Sequence, residues 1–579
     1  MAYNYNSKDL DKIGSQNKYE NILSLKDDEK VPLTQSLLIH HRQYIDLVNK
    51  DEESIHQRSK LSSSISSQLK SNNAGAATGD GSKKGDKSET TYNIGYVINL
   101  TLISAIGGFL FGYDTGVIAG AKLYFSDTWP DITDVEKGTI VSLAQLGSAI
   151  GSLFAGPFAD KFGRKKTIIF ADLFFTIGAI VMGVAPSIPV LILGRFLVGL
   201  GVGIAAMIVP VYLSEAAPTA IRGSLVTFNV LFITGGQFIS YLICIALGRN
   251  WRLMLGLAAT PSVIQMFGML FMPETPVFLY KIGKTQEADK ALGRLYKPRY
   301  LEQKKNEIQK EVESVKIESR DPFMTQIKHL FTIYTRCIVL GAGLQFWQQF
   351  CGINTVMYFG PDILQKSGFG DPTDPSSLLI ASLPLAGMNA LGTLVAIFYI
   401  DKLGRRYILL RMVPFVGASL LIISLGLGLK GYGIDLSVQD GGKWVSLTGI
   451  LLYLAFFSIS LGCTPWTINS EIYPLHLRGA GNSVSTTTNW VSNYVVSQFF
   501  LLVTTTTTGQ VITFSILALC CGLAWIFIYY LLPETKGKTI EQIVEELCPH
   551  TKKSEEHMNL KNNDGYSQQH RTDTSRSSD

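Results

Sequence analysis

"ADKFGRKK", Ala159–Lys166, returns in the second half of the chain as "IDKLGRRY", Ile400–Tyr407. Each stretch follows one long apolar run and precedes another. An acid, a glycine and paired basic residues form a short polar turn between hydrophobic segments. Two more pairs recur in the same order. "LSEAAPTAIRG" (Leu213–Gly223) matches "NSEIYPLHLRG" (Asn469–Gly479), and "PETPVFL" (Pro273–Leu279) matches "PETKGKT" (Pro533–Thr539). Three ordered pairs, each after the same apolar run in its half, read as duplication of a six-segment unit.

The segments are long enough to cross a bilayer, which takes about 20 apolar residues. Twelve are expected: 95–119, 137–158, 167–186, 189–212, 223–247, 251–272, 335–358, 378–400, 407–429, 445–468, 480–504 and 510–532. Of 579 residues, 46% are hydrophobic and only 17% charged, too apolar for an ordinary soluble protein. The fold class is therefore all-α, a polytopic membrane protein with twelve transmembrane helices in two six-helix halves. The chain divides into a disordered cytosolic tail (1–93), a first half (94–272), a cytosolic linker with short helices (273–334), a second half (335–532) and a second cytosolic tail (533–579).

Basic residues cluster in "DKFGRKK", "DKLGRRY" and the linker, while "PSIP" and "TTTTTG" carry none. The positive-inside rule puts both termini in the cytosol. The N-terminus lacks the apolar stretch of a cleavable leader. A net charge of +5 follows from topology and calls for no nucleic acid. The seven cysteines lack zinc-type spacing. With no P-loop, metal cluster or nucleophile elbow, an enzyme is not expected.

One apolar run, "GGFLFGYDTGVIAGA" (Gly107–Ala121), contains Asp114. A carboxylate in hydrocarbon is costly and marks function. Span 1 runs outward and places Asp114 about 28 Å up. Span 4 runs inward and places Arg195 at about the same depth. Glycines 194, 199, 201 and 203 let span 4 approach its neighbours. An arginine that approaches and withdraws changes the acid's hold on its proton, as proton coupling requires.

Each side-chain amide carries an acceptor oxygen and two donor protons, so amides placed in apolar spans mark a candidate binding site for a polar, uncharged ligand. Span 7 carries Gln345, Gln348, Gln349 and Asn354. Positions 345, 348, 349 and 352 share one helix face. Asn354 and Tyr358 join them only if the helix breaks, and Gly352 is the expected break. The loop charges Asp160, Arg164, Glu215 and Arg222, repeated as Asp401, Arg405, Glu471 and Arg478, are expected to latch helix ends when the cytosolic side is closed.

"DKFGRK", "DKLGRR", "PETKG" and "QQFCGIN" (Gln348–Asn354) resemble the sugar-porter family of the major facilitator superfamily over roughly residues 94–545. "GFLFGYDTGVIAGA" and Pro465–Asn493 look most like its proton-coupled myo-inositol transporters. The resemblance implies a polyol site at Gln237, Gln348, Gln349, Asn354, Tyr358, Asn389, Trp466 and Asn489, with Asp114 and Arg195 coupling the proton. Val277 stands where the family carries an arginine, and Phe350-Cys351 where Leu-Ser is common. The expectation is a symporter importing myo-inositol by alternating access, without a cofactor beyond the proton. It is expected to be monomeric and set in the lipid bilayer of the plasma membrane. A proton-coupled hexose symporter is the alternative, and a non-transporting nutrient sensor a third.

Overall fold

The computed structural model describes residues 91–549 except 217, 219–220, 316–321, 372–373 and 434. Nearly all of the expected N-terminal tail, and the C-terminal tail after 549, lie outside the described residues. Ten helices among those described are long and apolar enough to cross a membrane. An eleventh crossing is Thr335–Tyr358, which meets the short helix Phe323–Thr332 at a bend of 96°. The twelfth, Arg478–Val503, has the length but not the hydropathy. Asn482, Ser483, Ser485, Thr486, Asn489, Ser492 and Asn493 lie along it, all buried against protein. Its polar side chains face protein rather than lipid, so the twelve-span expectation holds although one span is not strongly apolar.

The first half comprises spans 1 (Ile94–Ala121), 2 (Asp134–Phe162), 3 (Arg164–Gly183), 4 (Ile188–Ala216), 5 (Arg222–Leu247) and 6 (Trp251–Gly256 and Ala259–Phe271). The second comprises spans 7 (Thr335–Phe350 and Ile353–Tyr358), 8 (Pro375–Leu403), 9 (Arg405–Tyr432), 10 (Leu436–Ile459 and Thr464–Glu471), 11 (Arg478–Val503) and 12 (Thr507–Leu531). Between the halves lie four short helices, Pro276–Lys281, Thr285–Leu295, Pro298–Val315 and Phe323–Thr332. The second of these is tied to the entry of span 1, because Asn93 donates its backbone N–H to Leu295 (2.9 Å) and its amide to Arg294 (2.8 Å).

Glycines set how closely span 4 packs. A Cβ on Gly199 would fall 2.1 Å from the carbonyl of Ala144, and one on Gly203 would fall 2.0 Å from that of Ser148. Both glycines therefore seat span 4 backbone-to-backbone on span 2. Gly201 does the same against Ala171 of span 3. Without a hydrophobic gradient between helix and lipid, this close packing is what holds helices together.

Spans 7 and 10 are broken where they face each other. Gly352 sits in the left-handed region at φ 91°, ending one helix and starting the next. A broken helix frees carbonyls, which hydrocarbon cannot satisfy. Here each break satisfies the other. Tyr453 of span 10 donates to the carbonyl of Cys351 (2.9 Å), and Gln348 of span 7 donates to Leu461 (2.7 Å) and Gly462 (3.3 Å).

Gly203→Ala should lower stability by ~1–3 kcal/mol, the cost of overpacking. Gly95→Ala, where a Cβ meets nothing within 4 Å, should not. Thermal unfolding of the two purified variants in detergent checks the contrast.

Candidate functional site

Asp114 and Arg195 meet. Arg195 Nη1 pairs with Asp114 Oδ1, their side chains 1% and 8% exposed respectively. Two further features place the guanidinium. Its Nε donates to the carbonyl of Ile140 on span 2 (3.1 Å), and Gly194 lets span 4 lie against Met182 and Gly178 of span 3. Span 1 is held by glycines as well. A Cβ on Gly112 would fall 1.8 Å from the carbonyl of Ile233, and one on Gly116 would fall 2.0 Å from Ser240 Oγ. Spans 1, 2, 4 and 5 therefore position this pair jointly.

About one helix turn before Asp114 in span 1, Phe111 lines a cavity between the halves. Gln237, Gln348, Gln349, Asn354, Asn389 and Trp466 all line it, together with Thr234 and Thr393. Their amides are linked rather than loose. Asn389 donates to Gln237 Oε1 (2.9 Å), joining span 8 to span 5 across the halves, and Asn354 donates to Gln349 Oε1 (3.0 Å). The helix break at Gly352 brings Asn354 to that position.

Asn489 and Tyr358 are placed differently from the expectation and do not line the cavity. Asn489 stands behind the glutamines. Its Nδ2 donates to Gln345 Oε1 (2.6 Å) and Gln348 Oε1 (2.8 Å), and its Oδ1 accepts from Gln349 (3.1 Å). It positions the amides that face the cavity. Tyr358 lies beyond the break, its hydroxyl turned toward Gln145 and Asn493 and within electrostatic range of Asp114 and Arg195. Tyr358 thus belongs with the charged pair.

The loop charges form two matching clusters where spans 2 and 3, and spans 8 and 9, are joined. In the first half, Arg164 holds Glu215 (2.9 Å) and Asp160 (3.3 Å). In the second, Arg405 holds Glu471 (2.8 Å) and Asp401 (2.9 Å). The other two arginines cross the seam. Arg478 acts electrostatically on Glu215, and Arg222 acts on Glu471. Asp401 also accepts from the backbone N–H (2.9 Å) and hydroxyl of Ser224 in the opposite half. At the opposite helix ends Lys122, just beyond span 1, pairs with Asp362, just beyond span 7, and the Tyr241 hydroxyl donates to the carbonyl of Met357 (3.2 Å). The halves therefore touch both above and below the cavity.

The repeated "PET" triplets do more than mark the duplication. Glu274 accepts the backbone N–H groups of Arg164 (3.0 Å) and Lys165 (3.1 Å) at the start of span 3. Glu534 does the same for Arg405 (3.0 Å) and Arg406 (3.1 Å) at the start of span 9. A carboxylate at a helix N-terminus satisfies orphan donors and complements the dipole. Burial pushes the Glu274 carboxyl up from its ordinary value, and the backbone N–H groups of Thr275 and Lys165 draw it back. Thr275 and Thr535 donate to Glu215 (2.7 Å) and Glu471 (2.9 Å), so each triplet braces one of the two charged clusters. Where the family's arginine is replaced, Val277 is buried in an apolar cluster.

The family described as sugar (and other) transporter matches residues 100–547. The chain is 36% identical to "Probable inositol transporter 2" of Arabidopsis thaliana, over 79% of this chain and 92% of that protein. It is 34% identical to "Proton myo-inositol cotransporter" of Homo sapiens, over 77% of this chain and 81% of that one. Among solved structures, the major facilitator superfamily proton:xylose symporter XylE, bound to 6-bromo-6-deoxy-D-glucose, superposes with a TM-score of 0.68. The identity is 27%, over 79% of this chain and 100% of that one. Twelve crossings in two matching halves, an amide-lined cavity between them and these likenesses agree: the chain belongs to the sugar (and other) transporter family and has the major facilitator fold.

Proposed function

We propose that this protein is a proton-coupled symporter that imports myo-inositol by alternating access. The observation that carries the reading is a buried acid–arginine pair one helix turn from a cavity walled by amides. The amides match a ring of hydroxyls, and Trp466 offers an apolar face to its carbon skeleton. The inositol transporters among the relatives support the choice of polyol. The xylose symporter with a glucose derivative bound supports a second reading, a proton-coupled monosaccharide symporter, with the same residues in the same roles.

In this mechanism proton and polyol enter from outside. Asp114 takes the proton and loosens from Arg195, freeing spans 1 and 4 to shift relative to each other. The cross-seam pairs at Glu215 and Glu471 then part and the cytosolic side opens. One charge crossing about 100 mV gains ~2.3 kcal/mol, roughly 40-fold accumulation. The proton is the only coupling species, and the protein works as a monomer in the plasma membrane with both termini in the cytosol.

Asp114→Asn should still exchange labelled myo-inositol across vesicles yet fail to concentrate it against a gradient; undiminished concentration would contradict the coupling role. Asn489→Leu should raise the half-saturation constant at least as much as Gln349→Ala, roughly three- to tenfold or more, because it releases three glutamines; uptake curves decide this. Arg405→Ala strands Glu471, a loss of ~3–5 kcal/mol for a broken buried pair. It should shift the protein toward cytosol-open states, which thiol labelling of a cysteine placed at Ser224 would report as faster modification.

A further inference from the structure

Beneath the main cavity lies a second, smaller chamber. Phe111, Ile233 and Trp466 line both, so the two share a wall. Asn229 and Gly108 help to close the smaller one. Its depth follows from helix direction. Span 5 runs outward, and Asn229 precedes Gln237 by about 12 Å along it. Span 1 also runs outward, and Gly108 precedes Phe111. The chamber therefore lies on the cytosolic side of the polyol cavity. Below it is the seam that Ser224 and Asp401 hold shut.

Asn229 is only 4% exposed, and its Oδ1 has no hydrogen-bond partner. A buried amide oxygen left in that state costs stability, and native proteins keep few of them. The space it occupies is made for it, because a Cβ on Gly108 would fall 2.5 Å from that oxygen. Phe111 and Trp466 add aromatic surface between the two chambers. The walls also come from both halves: Trp466 belongs to the second, while Asn229, Gly108, Phe111 and Ile233 belong to the first. Parting of the halves on the cytosolic side draws Trp466 away from Asn229 and merges the chambers.

We propose that this chamber is a release-side subsite, in which Asn229 Oδ1 accepts a hydrogen bond from a hydroxyl of the polyol after it leaves the main cavity. The proposal rests on the polyol-transport reading above. The ligand is a polyhydroxylated six-membered ring, held by one amide and the aromatic partition. Asn229 therefore acts on the cytosol-facing state and not on capture from outside.

The test compares influx and efflux in the same expressing cells, with labelled myo-inositol supplied outside or preloaded inside. Asn229→Leu should leave the influx half-saturation within about twofold of the parent. It should raise the efflux half-saturation roughly three- to tenfold, the loss of one neutral hydrogen bond. Gln348→Ala, in the main cavity, should raise both. Asn229→Ser puts a hydroxyl acceptor in place of the amide oxygen and should recover much of the efflux affinity; it also carries the test if the leucine variant fails to fold. Equal changes in the two directions, or none in either, would overturn the subsite while leaving the transport reading intact. A parent that moves no labelled polyol in either direction would overturn both.

Discussion

The cost of placing charge and polarity inside hydrocarbon organises this molecule. Asp114 and Arg195 can stay in the membrane only by facing each other, and everything around them serves that meeting. The glycines of span 4 let it press against spans 2 and 3, those of span 1 let it press against span 5, and the carbonyl of Ile140 steadies the guanidinium. In the proposed mechanism, a proton on the carboxylate removes the attraction, and the arginine then has reason to move.

The same constraint builds the substrate cavity. Broken helices offer polar backbone, which lipid forbids unless protein satisfies it. Spans 7 and 10 break opposite each other and exchange hydrogen bonds through Tyr453 and Gln348. The glutamines of span 7 are pinned from behind by Asn489, so their outward atoms are preorganised. Preorganisation lowers the entropy lost when a hydroxylated ring binds. At the helix ends carrying the repeated turns, two copies of one device meet at the seam: a carboxylate caps a helix, a threonine braces a buried glutamate, and an arginine from the opposite half acts across it. Duplication supplies both clusters from one pattern.

Much of this was legible from residues. The paired turns gave the two halves, hydropathy gave the spans, and helix direction brought Asp114 level with Arg195. Gly352 was readable as a break because a helix without one could not bring Asn354 to the glutamines. Other features were hidden for physical reasons. Tyr358 and Asn489 carry the right chemistry, but sequence spacing does not say which way a side chain faces beyond a helix break, nor that an amide of span 11 stands behind the glutamines of span 7. The "PET" glutamates cap helices more than a hundred residues away, a contact that no local pattern encodes. Asn229 looks like one more amide in an apolar span until the neighbouring chamber is seen.

Transport current tests the central claim most directly. In voltage-clamped cells expressing the chain, myo-inositol added at external pH 5.5 should evoke an inward current that shrinks at pH 7.5 and is weaker with glucose. Labelled myo-inositol entering without any current, whatever the pH, would contradict proton coupling through Asp114 and reduce its pairing with Arg195 to a structural bond.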